Sequence, residues 1–281
     1  MQKLKSIFIS SYCTYLTLVT LWAGYQYLQS DSVAMAVIAI QHLVGASFFA
    51  SLFAVPPART SALLPNWTIP ALMLAFAGGY QGYMEGSALV VILAAVGWLG
   101  WSLYLFWYSS FGGKRNDQLV LGQTLPEFTL YQSDGKSVSA SDFQGKPVLM
   151  IFYRGNWCPL CVAQVKEISG MYQQLADMGV EVCLVSPQPE ENTQQLADRF
   201  NVPFNFLVDK DLATAEAFGI KAEGGTPAGF EALGYDSDTV RPTVLITNSK
   251  GELIYSDLTD NYRVRPEPEE FIKVFQQAGV A

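Results

Sequence analysis

Two cysteines three positions apart are the residues of this chain best suited to chemistry. Cys158 and Cys161 are separated by Pro159 and Leu160. A cysteine reacts as its thiolate, and the unpaired amides at a helix N-terminus stabilise that anion and lower the thiol pKa. Two thiols on one helical turn also allow one to capture the mixed disulfide or sulfenate formed by the other. The pair therefore predicts thiol redox chemistry.

The elements around this pair must hold it at the end of a strand. Residues 148–153 form a continuous apolar run, which indicates a buried strand. Residues 158–178 have apolar side chains at helical spacing, and Gly179 is the expected C-terminal cap. Further strands are predicted at 180–185, 204–208, 243–247 and 252–256, and further helices at 190–200, 211–218 and 267–277. This order predicts an α/β thioredoxin-like fold for the C-terminal half. The aperiodic, glycine-rich residues 220–240 are expected to shape the active-site entrance.

Composition separates the chain into two unlike halves. The 281 residues are 50% hydrophobic with a net charge of -8, yet between Ile7 and Gly113 the charged residues are only Asp31, Arg59 and Glu85. The acidic remainder has no basic stripe for phosphates, which argues against a nucleic-acid partner.

The single histidine lies in the apolar half, so the soluble half cannot build a Ser-His-Asp or Cys-His site.

The sequence contains no motif for binding a cofactor or a metal ion. It has no dinucleotide fingerprint, and two nearby cysteines without a histidine do not make a zinc site. No cofactor and no metal are therefore predicted. Electrons are expected from a thiol donor: thioredoxin, glutathione or a membrane reductant.

Four apolar stretches in the first half predict an all-α transmembrane bundle of four helices in a lipid bilayer. They cover residues 7–28, 33–55, 67–84 and 87–111, and the third is near the short limit for a helix that must span with about 20 residues. The predicted domains are a membrane domain at 1–113, a linker at 114–118 and a redox domain at 119–281.

The charges between these stretches predict the orientation, because lysine and arginine resist translocation. Basic residues precede the first helix and follow the second and fourth: Lys3, Lys5, Arg59, Lys114 and Arg115. Asp31 and Glu85 follow the first and third. Both termini and the redox domain are expected on the cytoplasmic side of a bacterial inner membrane.

The soluble half resembles a known family in several motifs. They are residues 121–128 (Leu-Gly-Gln-Thr-Leu-Pro-Glu-Phe), the Asp134-Gly135 turn, residues 146–153, Arg241-Pro242-Thr243 and the tail 260–269. These motifs resemble the peroxiredoxin-like branch of the thioredoxin superfamily, the alkyl hydroperoxide reductase/thiol-specific antioxidant (AhpC/TSA) group. Residues 154–161 are similar to the subgroup with Arg-Gly-x-Trp-Cys-Pro-x-Cys. The resemblance implies a thiol-dependent antioxidant oxidoreductase that reduces peroxides or protein disulfides, with Pro242 as a cis-proline beside the cysteines.

The resemblance leaves two assignments of the cysteines open. Ordinary peroxiredoxins have Pro-x-x-x-Thr-x-x-Cys, and aligning that cysteine on Cys161 puts Arg154 at the proline and Cys158 at the threonine. Alignment on thioredoxins instead makes Cys158 the exposed attacking thiol and Cys161 the resolving one. We favour attack by Cys158 in disulfide exchange, with Cys161 as an alternative peroxidatic residue.

Other residues near the motif have functional and structural interpretations. Arg154 and Arg241 are candidates to supply a cation near the thiolate, or are packing arginines. Trp157 is expected to shield the pair, or simply to pack. The alternative function is a redox-inactive thioredoxin-like module that binds or assembles partners on a membrane anchor.

Overall fold

The computed structural model describes residues 2–113 and 116–280. These residues form two compact units, one of residues 4–56 and 60–110 and the other chiefly of the residues from Phe111 onward. Lys114 and Arg115, on which the predicted orientation and linker partly depend, lie outside the described residues.

The first unit is helical. Its helices are α1 (Gln2–Ser30), α2 (Val33–Ala54), α3 (Pro65–Met84) and α4 (Ala88–Leu103), which continues as a π-helix at Tyr104–Tyr108. Among the described residues, three helical segments are long and apolar enough to cross a membrane: Lys3–Ser30, Val33–Ala54 and Ala88–Tyr108. The segment α3 is less apolar because it includes Asn66, Pro70 and Gln81. A count of four membrane crossings therefore remains a prediction.

Glycines on α3 allow close packing within this unit. A Cβ atom at Gly82 would lie 2.9 Å from Val90 of α4, and one at Gly78 would lie 3.1 Å from Ile38 of α2. Small residues of this kind let helix backbones approach each other in a bilayer.

The second unit is built on a mixed sheet. Its strands are β1 (Thr129–Tyr131), β2 (Ser137–Ser139), β3 (Val148–Phe152), β4 (Glu181–Ser186), β5 (Asn205–Val208), β6 (Lys221–Ala222), β7 (Thr239–Val240), β8 (Thr243–Thr247) and β9 (Leu253–Asp257). Within the described residues, one sheet has the order β2-β1-β5-β4-β3-β8-β9, and β6 pairs separately with β7. Strand β3 lies inside the sheet, parallel to its neighbour β4 and antiparallel to its neighbour β8. All five of its residues are buried, as the apolar run predicts.

Helices connect and flank these strands. They are α5 (Pro159–Gly170), α6 (Tyr172–Asp177), α7 (Glu190–Phe200), α8 (Ala213–Ala217) and α9 (Pro268–Gln277). The prediction of one helix over 158–178 was wrong, because the helix breaks at Met171, whose backbone has φ −102° and ψ 9°. Gly170 immediately precedes the break, and glycine is a poor helix former. Gly179 follows with φ +68°, as expected for a residue that ends a helix.

Alternate residues of β3 point into one core. Phe152 belongs to the same buried cluster as Val148 and Met150, which follows from the two-residue repeat of a strand. The ring of Phe218 lies 5.7 Å from that of Phe152 and 5.9 Å from that of Phe128, both edge to face. This core fixes the end of β3, where the cysteine motif begins.

Candidate active site

The chain turns sharply between the end of β3 and the start of α5. The amide of Tyr153 still donates to the carbonyl of Val185 on β4 at 2.9 Å, which anchors the start of the turn. Gly155 has φ +147°, and a Cβ there would lie 2.7 Å from Trp157 Nε1, so a side chain would be strained and crowded. Pro159 is the first residue of α5, a position that needs no amide hydrogen. Cys158 is therefore the N-cap residue.

The two thiols of the motif lie side by side. Their sulfur atoms are 2.8 Å apart, and both cysteines are free. Cys158 is 2% exposed and Cys161 0%. The thioredoxin alignment implied an exposed Cys158, and this expectation was wrong, because the turn and α5 enclose both sulfurs.

A buried arginine contacts the inner thiol. Arg265 is 6% exposed, and its Nη2 lies 3.3 Å from Sγ of Cys161. Its Nη1 donates to Oε1 of Gln164 at 2.6 Å, and its Nε donates to the carbonyl of Tyr262 at 3.1 Å. Among the residues that the structure describes, no carboxylate forms an ion pair with this guanidinium. The Cys161 sulfur is therefore placed to be its anionic partner.

This arrangement pushes the two thiol pKa values apart. Burial disfavours both thiolates. At Cys161, the hydrogen bond from Cys158 and the charge and hydrogen bond of Arg265 outweigh burial, and its pKa lies well below the ordinary thiol value. At Cys158, burial is reinforced by the hydrogen bond to Cys161 and by the Cys161 charge, and its pKa lies well above that value. The geometry favours a thiolate at Cys161 beside a protonated Cys158.

Arg154 is a second cation at this site. It is 7% exposed, its guanidinium donates to the carbonyl of Gly225, and it lies 4.7 Å from the ring centre of Trp157 and 5.5 Å from that of Tyr262. Its charge opposes the rise in the pKa of Cys158, after that of Arg265. Arg154 thus lies near the cysteine pair, which is consistent with its interpretation as a cation near the thiolate.

Arg241 has other contacts. Its Nε donates to the carbonyl of Thr259 at 2.9 Å, its Nη2 lies 3.1 Å from the carboxylate of Asp260, and its guanidinium lies over the ring of Phe111. These contacts connect the start of β8 with the segment after β9. They support a packing role for Arg241.

Pro242 lies beside the end of β3, because the next residue, Thr243, is the register partner of Phe152. Its side chain is buried. The expectation of a cis-proline was wrong, since the described residues contain no cis peptide bond.

Gln188, which the sequence analysis did not single out, holds the turn in place. Its Oε1 accepts from the amide of Asn156 at 2.7 Å, and its Nε2 lies 3.1 Å from the Tyr153 hydroxyl and 3.2 Å from that of Thr193. Burial, followed by the charge of Cys161, raises the pKa of Tyr153, which keeps its hydroxyl protonated. A glutamine outside any motif carries no sequence signal for this role.

A long loop lies against the turn. We call residues 223–238 the lid segment; β6 and β7 pair at its two ends. Within it, Gly225 accepts from Arg154, and the hydroxyl of Tyr235 donates to Oδ1 of Asn156. Just beyond it, the hydroxyl of Thr239 donates to the carbonyl of Arg154 at 3.0 Å. These contacts join the lid segment and the start of β7 to the turn; that the segment shapes the active-site entrance stays a prediction.

Comparisons with known proteins match the C-terminal half of the chain. A family model described as "AhpC/TSA family" matches residues 121–256. Peroxiredoxin Q, chloroplastic, of Sedum lineare is 32% identical over 162 residues, covering 57% of this chain and 79% of that protein. Thiol-disulfide oxidoreductase ResA of Halalkalibacterium halodurans is 28% identical over 173 residues, covering 61% of this chain and 83% of that protein. The crystal structure of Enterococcus faecalis AhpC aligns with TM-score 0.45 and 19% identity, covering 57% of this chain and 92% of that chain.

Proposed function

The chain belongs to the AhpC/TSA family, and from that premise we propose that it is a membrane-anchored, thiol-dependent peroxidase that works through Cys158 and Cys161. One observation carries the proposal. The sulfur of Cys161 lies 2.8 Å from that of Cys158 and 3.3 Å from the guanidinium of Arg265. A thiolate, a proton donor and a fixed cation are the groups that peroxide reduction needs.

The reaction begins at Cys161. Its thiolate attacks the terminal oxygen of a hydroperoxide, ROOH; the S–O bond forms, the O–O bond breaks, and RO⁻ leaves. The thiol of Cys158 supplies the proton that makes ROH. Cys161 is now a sulfenic acid, and Arg265 and Arg154 stabilise the negative charge that develops on the leaving oxygen.

Cys158 then resolves the sulfenic acid. Its thiolate attacks the sulfur of Cys161, and hydroxide leaves and takes up a proton from solvent to become water. The product is a Cys158–Cys161 disulfide. Two electrons from a thiol donor, for which thioredoxin, glutathione and a membrane reductant are the candidates, reduce that disulfide and return both thiols.

Burial of the pair favours a small oxidant. Exposures of 2% and 0% leave a protein disulfide little access to either sulfur unless the turn opens. The reacting part of a hydroperoxide, by contrast, consists of only two oxygen atoms. This difference is why we place peroxides before protein disulfides as substrates.

Reduction of protein disulfides is the second candidate. The printed name of the ResA relative, thiol-disulfide oxidoreductase, supports it. In that reaction Cys158 attacks the substrate disulfide and Cys161 releases the product. The Cys161→Ser variant would then trap a mixed disulfide on Cys158, which mass spectrometry detects.

The location is also a proposal. We propose that the chain crosses the inner membrane of a bacterium with four helices. Both termini and the redox domain then lie on the cytoplasmic side. The alternation of basic and acidic residues between the apolar stretches supports this orientation. The three long apolar helices support membrane anchoring.

Peroxide consumption by the full chain in detergent, with dithiothreitol as reductant, tests the proposal. We expect the double variant Cys158→Ser/Cys161→Ser to lose turnover. Cys183→Ala, which changes a buried cysteine outside the pair, is the matched control and should retain it. Full turnover in the double variant would contradict the role of the pair, whereas no turnover by the unmodified protein would favour the redox-inactive binding-module alternative.

A further inference from the structure

Arg59 forms two ion pairs that the proposed mechanism does not use. It lies between α2 and α3 in sequence, yet residues 57–59 belong to the same compact unit as the residues from Phe111 onward. Its guanidinium pairs with the carboxylates of Glu167 and Glu267. Its Nη1 also lies 3.4 Å from the second carboxylate oxygen of Glu167, Oε1. One arginine thereby joins two segments of this unit that are distant in sequence.

These two segments are the ones that meet at the reactive thiol. Glu167 lies on α5, the helix that carries Cys161 in its first turn. Glu267 is the N-cap residue of α9 and follows Arg265 closely in the tail. Arg265 already contacts Cys161 from this tail. Arg59 therefore makes a second bridge between the same helix and the same tail.

The second bridge depends on the cation at its centre. The Arg59 side chain is 20% exposed, that of Glu167 38% and that of Glu267 63%, so the ion pairs are only partly shielded from solvent. Without the guanidinium, two like charges would remain close together. Their repulsion would favour separation of the tail from α5. Arg59 thus favours the packing that keeps Arg265 at the Cys161 sulfur.

Arg59 has no direct part in the charge state of Cys161. The described titratable and charged groups around this sulfur are Cys158, Arg265, Arg154 and Tyr153. Among the described residues, the hydrogen bonds of Arg59 go to the two glutamates. An effect of Arg59 on the thiol must therefore pass through the tail or through longer-range charge.

We propose that Arg59 is a positioning residue for the reactive thiol. Its ion pairs with Glu167 and Glu267 keep the tail packed on α5. That packing holds the guanidinium of Arg265 at the Cys161 sulfur. The inference rests on the proposed function, in which Cys161 attacks as the thiolate. It adds that a residue from the N-terminal half of the sequence supports the reactivity of that thiolate.

Replacement of Glu267 by glutamine separates this role from a direct effect of charge. Glutamine keeps the shape of the side chain but loses the ion pair with Arg59. If Glu267 acted on Cys161 only by its charge, neutralising it would favour the thiolate and lower the pKa of Cys161. The positioning role predicts the opposite sign, because the loosened tail carries Arg265 away from the sulfur. We expect the pKa of Cys161 to rise by about 0.2–0.7 pH units, the size of a partly exposed ion pair.

The measurement is the ultraviolet absorbance of the Cys161 thiolate across pH, in the full chain in detergent. Each titration curve is the difference between a variant and the same variant with Cys161→Ser, which subtracts the signals of the other residues. Arg59→Met leaves the two glutamates to repel each other, so it should also raise the midpoint. It should slow the reaction with hydrogen peroxide about two- to fivefold.

Two controls isolate the second bridge. Glu269→Gln removes a charge from the first turn of the same helix without changing either carboxylate that pairs with Arg59, so it should not raise the midpoint. In the Arg265→Met background the cation that the bridge positions is gone. Glu267→Gln should therefore no longer raise the midpoint there, which is the coupling that a double-mutant cycle measures.

The possible results separate the two proposals. An unchanged or lowered midpoint in Glu267→Gln would overturn the positioning role. A rise of equal size in Glu269→Gln would overturn it too, and so would an undiminished rise in the Arg265→Met background. If the midpoints shift as expected but the unmodified protein does not turn over peroxide, the proposed function is overturned and the positioning of Arg265 stands.

Discussion

The guanidinium of Arg265 contacts the sulfur of Cys161 at 3.3 Å, although the two residues are 104 positions apart. The tail of the C-terminal unit thereby places a cation beside the cysteine motif. Gln164 fixes the same guanidinium from α5 at 2.6 Å. In the proposed mechanism, the reactivity of Cys161 therefore depends on how the tail packs against the helix that carries the thiol.

Replacement of Arg265 by methionine should slow the peroxide reaction. Loss of a hydrogen bond to a charged group costs about 1.5–3 kcal/mol, which corresponds to a rate loss of roughly ten- to a hundredfold. Stopped-flow kinetics with hydrogen peroxide measure this loss. Arg241→Met, at a cation without a contact to the pair, is the control; an equal loss there would show a nonspecific effect of charge.

The same variant should change the pH dependence of thiol alkylation. The pKa of Cys161 lies well below the ordinary value, so its reactivity should persist as pH falls and disappear only through that lowered pKa. Without Arg265 the pKa rises, and the reactivity should be lost at a higher pH. Iodoacetamide labelling of Cys161, followed by mass spectrometry across pH, gives both midpoints. Identical midpoints would show that Arg265 does not stabilise the thiolate.

Replacement of Gln188 by leucine should loosen the turn. The change removes one hydrogen-bond partner from the half-buried Asn156 amide and from the buried hydroxyls of Tyr153 and Thr193. Each buried unsatisfied group costs about 1–3 kcal/mol. The apparent melting temperature should fall by about 2–4 °C per kcal/mol. Gln195→Leu, an exposed glutamine on α7, should change it little; equal melting temperatures for both variants would contradict the role of Gln188.

Reporter fusions test the membrane topology. With four crossings, reporters at Gly113 and at the N-terminus should both report the cytoplasm, and one between α3 and α4, at Gly86, the opposite side. If α3 does not cross, Gly113 and the N-terminus lie on opposite sides. A periplasmic reporter at Gly113 would overturn the count of four if the N-terminus reports the cytoplasm, and the orientation if the N-terminus reports the periplasm as well.

Much of the fold of the C-terminal unit follows from local sequence signals. The apolar run of β3, the hairpin of β8 and β9 and the helix at the end of the chain each depend on residues close together in sequence. The break at Met171 was not predicted, because the apolar spacing continues across it. The predicted third membrane crossing depends on composition alone, and α3 has polar residues that weaken that signal.

The candidate site is less predictable, because its cation comes from a distant segment. The paired cysteines and the nearby Arg154 are visible in the motif. Arg265 lies in an irregular tail whose sequence gives no indication of where its side chain points. Arg241 has the same residue type and a similar distance in sequence, yet it pairs with Asp260. Only the fold distinguishes these two arginines.

The central claim is that Cys161 is the attacking thiolate and Cys158 resolves it. The most direct test treats Cys158→Ser and Cys161→Ser with one equivalent of hydrogen peroxide and the sulfenic-acid reagent dimedone, followed by peptide mass spectrometry. We predict dimedone labelling on Cys161 in Cys158→Ser, because the resolving thiol is absent, and no rapid labelling on Cys158 in Cys161→Ser. Labelling of Cys158 in Cys161→Ser, with Cys161 unlabelled in Cys158→Ser, would contradict the account.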